Sequence, residues 1–575
     1  MHKIFSAFVI LSTKARWRLL LLLPVLLLGM ILETLSVAMV LPVLGVLMNK
    51  EFLQSISLLI PVLEYFGSPS HQQLVILGLS GLAGSFLLKN IFLFYQIKFQ
   101  GTFVYGAQRE VSRNLFRIYL NREYLFHLQV NSSALIRNLT TETLTYCNFF
   151  LMPFLNLLSE ALVILSIMSL ILWIEPKGAL VFFLATGMLI FAFVKFSNQV
   201  VGEWGRKRLQ AEEDKIKHLQ QGFGGIKEIL LSGKVEFFLK RYHKPNQSSG
   251  LMNKREYIFQ YVPKLGVEVI SVMGLVAMCI YLVFEGKSHL EVTQVLGLLA
   301  TAGFRLIPSF SRVLNNLQSI RFGWASVTTL VEEFKKNDYE ETARSIHPTT
   351  VSEQRTVTFN REIELKDITF SYTDAVPLIF DNLNLTIKKG EKIGLTGPSG
   401  SGKSTLVNLL LGLLSPSGGK ILLDGEKLAK QNLYSWQSML GYVPQDIYVL
   451  DDTIRRNIAF GVDDDLIDDD RVQEVLRASQ LEDLFHKPEE GLDFILGERG
   501  TKLSGGQKQR LGIARALYHN PSVIIFDEAT SGLDQVTRSE ILKTILEVGA
   551  GKTIIIISHD ECVLEICDRL FNLKG

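Results

Sequence analysis

At 575 residues the chain is too long for one ordinary domain. Its formal charge of +2 excludes a nucleic-acid binder held by bulk electrostatics. Its four cysteines, Cys147, Cys279, Cys562 and Cys567, lack the paired spacing of a zinc site and read as free thiols. The apolar fraction of 48% is ordinary but unevenly spread. Long apolar runs crowd the chain before about residue 320, and short strands alternating with polar helices follow, so a membrane part precedes a soluble part.

The amino terminus has the charge pattern of a signal peptide, with Lys3, Lys14, Arg16 and Arg18 ahead of an apolar run. That run, Leu19 to Met48, far exceeds a signal-peptide core of roughly 7–15 residues and lacks a small-residue cleavage pattern, so it reads as a first span. A span needs about 20 apolar residues. Six segments qualify: 19–48, 74–97, 149–174, 178–197, 263–284 and 292–319. The short outer loops carry one lysine each, Lys50, Lys177 and Lys287, whereas the connection 100–148 has five arginines and 198–262 is richer still in Lys and Arg. Both termini are therefore expected in the cytoplasm.

Apolar residues recur at three- and four-residue steps through Ala107–Leu120 and Glu203–Ile229, which predicts helices continuing past the membrane. Short crossing segments near Glu123–Asn131 and Gly225–Lys234 would then reach a soluble partner; solvated loops are the alternative. The outer segment Phe52–Phe66 is apolar but too short to cross. It reads as an amphipathic helix on the outer surface or as a loop packed on the spans.

From Glu332 to Arg361 the chain turns polar without apolar periodicity. The expected fold is thus an all-α membrane domain of six helices (1–330), a linker (331–360), and an α/β P-loop nucleotide-binding domain with an antiparallel β subdomain (361–575). Within the last, the strand Lys392–Thr396 runs into GPSGSGKST, comprising Gly397, Pro398, Ser399, Gly400, Ser401, Gly402, Lys403, Ser404 and Thr405. This is a phosphate-binding loop in its strand–loop–helix context. Backbone N–H groups and a helix start would cradle the phosphates, Lys403 would reach the β- and γ-phosphates, and Ser404 would ligate Mg²⁺. A second, continuously apolar strand, Val523–Phe526, delivers Asp527 and Glu528 at its carboxyl end. Asp527 is the expected Mg²⁺ acid, and Glu528 is placed to polarise a water.

Leu503-Ser504-Gly505-Gly506-Gln507, ahead of Asp527, resembles the signature of the ATP-binding-cassette family. Other family features follow in order. The resemblance implies that Tyr372 stacks on adenine, that Gln445 contacts Mg²⁺ and couples nucleotide to the spans, and that Asp534 belongs to the turn after Glu528. It also implies that His559 contacts the γ-phosphate and attacking water. Ser504, Gly505, Gly506 and Gln507 would close over ATP held by Lys403 of another subunit, which implies a homodimer with two composite sites, or a heterodimer. Spans fused ahead of the cassette resemble exporters more than importers.

Charged residues inside spans are costly and mark function by default. Lys89, Lys264, Arg305 and Arg312 fall in or at the edges of predicted spans, and Arg305 and Arg312 lie seven apart on one helix face. They read as a basic belt for an anionic head group; pairing of Lys264 with Glu268, or snorkelling to the headgroups, is the competing reading. The segments Glu33–Pro42 and Phe304–Arg312 resemble those of bacterial lipid-linked oligosaccharide flippases of the inner membrane. That resemblance implies a polyprenyl-pyrophosphate glycan as cargo, bound by the four basic residues. An exporter of peptides, lipids or apolar small molecules is the alternative.

Overall fold

The computed structural model describes residues 2–48, 70–174, 176–284, 289–335, 357–373, 377–482, 491–529 and 535–573. The expected outer helix 52–66 and Asp534 lie outside them. The chain divides into two units: one of Met1–Arg122 and Val130–Thr342, the other of Glu123–Gln129 and Ala343–Gly575.

The described residues of the first unit form helices joined by short turns. Its long helical runs are Thr13–Ala38 continued by Val40–Met48, His71–Leu120, Ser132–Ile174 with two π-helical turns, Pro176–Gly224, Val235–Phe284 and His289–Lys335. Each predicted span lies in one of these, and the expected continuations past the spans, 107–120 and 203–224, are helix, not loop. Among the described residues three helices are long and apolar enough to cross a membrane: Thr13–Ala38, His71–Leu120 and Ser132–Trp173. The protein is multi-pass. The first span, expected unbroken over 19–48, is interrupted at Met39. Pro42 explains this, because it has no N–H for the Ala38 carbonyl and its ring crowds that oxygen.

The linker expected at 331–360 begins instead inside a helix that reaches Lys335. Leu330, Val331 and Phe334 sit at helical spacing and are buried, which extends the packed face through a stretch that looks merely polar. Phe359 is likewise buried in the core of the second unit. Beyond the predicted spans of the helical unit, the Arg208 guanidinium donates to Glu142 at 3.0 Å and to Ser326 at 2.9 Å, joining three of the long runs. Arg208 and Glu142 are both buried, so removing one partner would strand a charge at a cost of about 3–5 kcal/mol. Gly225 ends the helix Pro176–Gly224, and a short helix, Ile226–Ser232, follows with Leu230 and Leu231 exposed.

The second unit holds two sheets. The antiparallel sheet orders its strands β2 (Phe380–Lys388), β1 (Glu362–Phe370), β4 (Gly418–Leu423) and β5 (Glu426–Lys427). The parallel sheet orders them β6 (Leu440–Val443), β7 (Val523–Asp527), β8 (Thr553–Ile557), β3 (Lys392–Thr396) and β9 (Arg569–Asn572). β7 and β8 are buried on both faces, which is why they read as continuous apolar runs. The short helix Tyr124–Gln129, from the first predicted crossing segment, packs in this unit. Leu125 lies against its core and Lys430 donates to Glu123 at 3.0 Å.

Candidate nucleotide-binding site

The parallel sheet explains why distant motifs meet. In register, Asp527 of β7 stands beside Ile557 of β8, which stands beside Leu395 of β3. The loops leaving β3, β7 and β8 therefore emerge together at the carboxyl edge, where α/β sheets bind ligands. β6 pairs with β7 through Val443 and Phe526, so the loop holding Gln445 arrives at the same edge.

The phosphate loop is built by glycine geometry. Gly402 has φ 92°, and a Cβ there would approach the Phe380 ring to 2.9 Å, so only glycine suits the turn into the helix Lys403–Leu410. The Lys403 ammonium is buried and donates to its own loop at Gly397 O, 2.8 Å, and Pro398 O, 3.0 Å. The Ser401 hydroxyl is buried without a hydrogen-bond partner, whereas Ser404 is exposed. Tyr372 is half-buried; its ring lies 5.2 Å from that of Phe370 and its hydroxyl is 3.0 Å from that of Thr405, at the loop's far end.

Glu528 adopts φ 48°, a left-handed conformation uncommon for a non-glycine residue, and its N–H donates to Ile557 O at 3.0 Å. This turn aims the carboxylate at two neighbours: the Gln445 amide donates to it at 2.9 Å and His559 Nε2 lies 3.6 Å away. Asp527 accepts from the Tyr442 hydroxyl at 3.2 Å. Burial, with the Glu528 charge adding to it, raises the Asp527 carboxyl above its usual range, while Tyr442 and Lys403 oppose the shift. Such a carboxylate gains from a cation.

No group of three or more His, Cys, Asp or Glu side chains forms a metal cluster among the described residues. The oxygen donors present, the Asp527 carboxylate, the Ser404 hydroxyl and the Gln445 amide, nonetheless fit Mg²⁺, which takes few protein ligands beside phosphate oxygens. Tyr442 is the site residue that sequence reasoning missed. It sits in β6 at alternate spacing from Leu440 and reads as ordinary strand filling; only pairing with β7 brings it to Asp527.

The signature segment begins a helix. Ser504 caps Gly505–Tyr518 in a reciprocal capping box with Gln507, with contacts of 3.2 and 2.9 Å. Ser504 and Gly505 are exposed, and no hydrogen bond joins this segment to the phosphate loop among the described residues. From the same helix, Gln509 donates to the Gln445 carbonyl at 3.1 Å, so the signature helix is tied to the loop that reaches Glu528.

In the helical unit the four basic residues lie on three helices, His71–Leu120, Val235–Phe284 and His289–Lys335. The Lys89 ammonium lies 4.5 Å from the Phe86 ring centre. Lys264 and Glu268 are both exposed and form no ion pair, against the pairing considered from their spacing. Arg305 lies on the helix His289–Lys335, with its side chain outside the described residues. Arg312 holds Glu160 with two nitrogens and also donates to Ser309 at 3.3 Å. Glu160, on the helix Met152–Ile174, is the partner that sequence reasoning missed; its side chain is 13% exposed and that of Arg312 42%.

Residues 380–531 match the family described as ABC transporter. An ATP-dependent lipid A-core flippase of Vibrio cholerae is 26% identical over 533 residues, covering 90% of this chain and 87% of that protein. A protein of the same description from Ralstonia nicotianae is 39% identical over 214 residues, which span only 36% of its length. The solved structure of a bacterial Atm1-family ABC exporter with ATP bound has a TM-score of 0.77, covers 98% of this chain and 94% of its own, and is 22% identical. The phosphate loop and the carboxylate pair on one sheet edge, with the signature helix in the same unit, thus fall in or beside a stretch that matches the ABC transporter family, and the whole chain has the fold of that ABC exporter.

Proposed function

We propose that two copies of this chain form an ATP-driven exporter that moves a lipid-linked oligosaccharide, carried on a polyprenyl pyrophosphate, from the cytoplasmic to the outer side of the bacterial inner membrane. The observation that carries this reading is the guanidinium of Arg312 in a predicted span, held by Glu160 yet partly open. A charge kept at membrane depth needs a reason, and a planar donor that can grip two oxygens suits a diphosphate. Glu160 would hold the guanidinium until cargo displaces it. Lys89, Lys264 and Arg305 would add charge to the same head-group site.

Drive would come from the cassettes. Phosphates would lie along Ser399–Thr405 with Lys403 beside them and Tyr372 toward the base. Ser404, Asp527 and Gln445 would hold Mg²⁺, which neutralises phosphate charge when bound. Glu528 would take the proton of an attacking water, with His559 and Gln445 orienting the pair. The helix start at Ser504–Gln507, exposed at Ser504 and Gly505, supports a composite site closed by a second copy, since a helix N-terminus favours anions and none of its own chain's phosphate loop reaches it. The basic connections support cytoplasmic termini.

A second reading, with lipid A-core as cargo, is favoured by the description of the near-full-length Vibrio relative. ATPase activity in lipid nanodiscs separates the two. Stimulation by polyprenyl-pyrophosphate oligosaccharide that is lost in Arg305→Ala and Arg312→Ala supports the first; stimulation by lipid A-core alone selects the second. If neither glycolipid stimulates wild type above a Glu528→Gln background, both are wrong and an apolar or peptide cargo takes their place.

A further inference from the structure

In the helical unit a cavity of about 610 Å³ opens between two helices. One wall comes from Pro176–Gly224 and includes Lys207, Asp214 and Lys217; the other comes from Val235–Phe284 and includes Lys240, Arg241 and Lys244. The spacings explain the convergence. Positions 207, 214 and 217 recur at helical periods, as do 237, 240, 241, 244 and 248, so each helix turns one continuous stripe toward the other.

The charge in this cavity is unbalanced, with five Lys and Arg side chains facing one carboxylate, Asp214. Lys207 is paired with Glu203 at 2.6 Å, outside the cavity lining. Lys217, Lys240, Arg241 and Lys244 have no ion pair among the described residues. Lys240 and Lys244 are four apart and repel, and the facing wall, Pro176–Gly224, adds Lys217 opposite. A solvated basic face would spread such charges outward; here they line a concavity of ligand size.

We propose that these two stripes form a binding site for a soluble, multiply charged phosphate compound of the cytoplasm. A lipid headgroup does not fit the location. At about 1.5 Å per residue, Lys207 and Lys217 lie roughly 15 and 30 Å along the helix beyond residue 197, where the predicted span ends. Lys240, 23 residues before the span at 263, lies roughly 35 Å from it by the same measure. The two walls are joined through the short helix Ile226–Ser232, so a polyanion bridging them would brace that hairpin.

The test is calorimetric titration of the full-length protein in detergent with inorganic tripolyphosphate. Wild type is compared with Lys217→Gln/Lys240→Gln/Lys244→Gln, both retaining the phosphate site of the cassette. Wild type is expected to bind one more equivalent per chain than the variant, with affinity for that equivalent falling at least tenfold from low to high salt. An unchanged basal ATPase rate reports that the variant is folded, and the Lys→Arg version of the same triple substitution is expected to restore the extra equivalent. Equal stoichiometry in wild type and variant overturns the proposal. So does protection of Lys240→Cys from a thiol reagent in the assembled dimer, read by peptide mass, because the cavity would then be filled by the partner subunit.

Discussion

The two units of this chain carry function in opposite ways. In the cassette unit, each chemical group arrives with its own local motif, and a parallel sheet brings the motif ends to one edge, so Gln445, Glu528 and His559 meet through backbone register. In the helical unit no motif announces the chemistry. Arg312 and Glu160 lie on separate long helices 152 positions apart, and only packing pairs them. Local motifs set by backbone register build the first arrangement, whereas the second rests on single side chains spread over long helices, and on the proposed reading it is the second that meets the cargo.

The largest expected effect breaks the cassette side of that contrast. Glu528→Gln keeps the shape and the Gln445 contact but removes the proposed base. ATP turnover should fall by about 10²–10⁴-fold while ATP binding persists, as checked by steady-state hydrolysis against nucleotide retention. A loss under fivefold would mean that another group activates the water.

Next comes the pair in the helical unit. Glu160→Gln frees the Arg312 guanidinium, and on the proposed reading the glycolipid concentration for half-maximal stimulation should drop about tenfold, worth roughly 1.4 kcal/mol. Arg312→Ala should raise it in the opposite direction. If Glu160→Gln merely unfolds the protein, the pair is structural and the distinction between the units weakens.

Tyr442→Phe tests the missed residue. Without its hydroxyl the Asp527 carboxyl is pushed up further, so a higher Mg²⁺ concentration, by about 3- to 10-fold, should be needed for half-maximal ATPase. The gap should widen as pH falls, because on the proposed reading only the ionised Asp527 would hold the cation.

The smallest effect concerns Glu256, in the helix Val235–Phe284 ahead of the predicted span. Burial pushes its carboxyl up to about 7 while the Gln260 amide opposes the shift. The folded pKa is raised, so the neutral form is favoured by the fold, and stability contributed below the unfolded pKa is lost as pH rises toward 7. The unfolding free energy of wild type should therefore fall from pH 5 to pH 7 by about 1–3 kcal/mol, and Glu256→Gln should flatten that slope. An unchanged slope would place the ionisable group elsewhere.

Much of the architecture was legible in advance because its signals are periodic or contiguous. The strands Lys392–Thr396 and Thr553–Ile557 appear where apolar runs placed them, and the helical continuations follow their three- and four-residue steps. The misreadings have local causes. Pro42 breaks a run whose hydropathy is unbroken. The helix through Lys335 hides its buried face behind charged neighbours, so composition suggests a linker where Phe334 is packed.

By itself, the sequence determined the order of the two units, the phosphate loop, the Asp527–Glu528 pair and the signature helix, because each depends on neighbours within a few positions. Tertiary structure alone decided that Tyr442 would serve Asp527, that Glu160 would hold Arg312 and that Lys264 would stay clear of Glu268. It also decided that two basic stripes would face each other across a cavity. Each of those outcomes depends on which element packs beside which, and a pairing energy between distant side chains leaves no mark on either stretch of sequence alone.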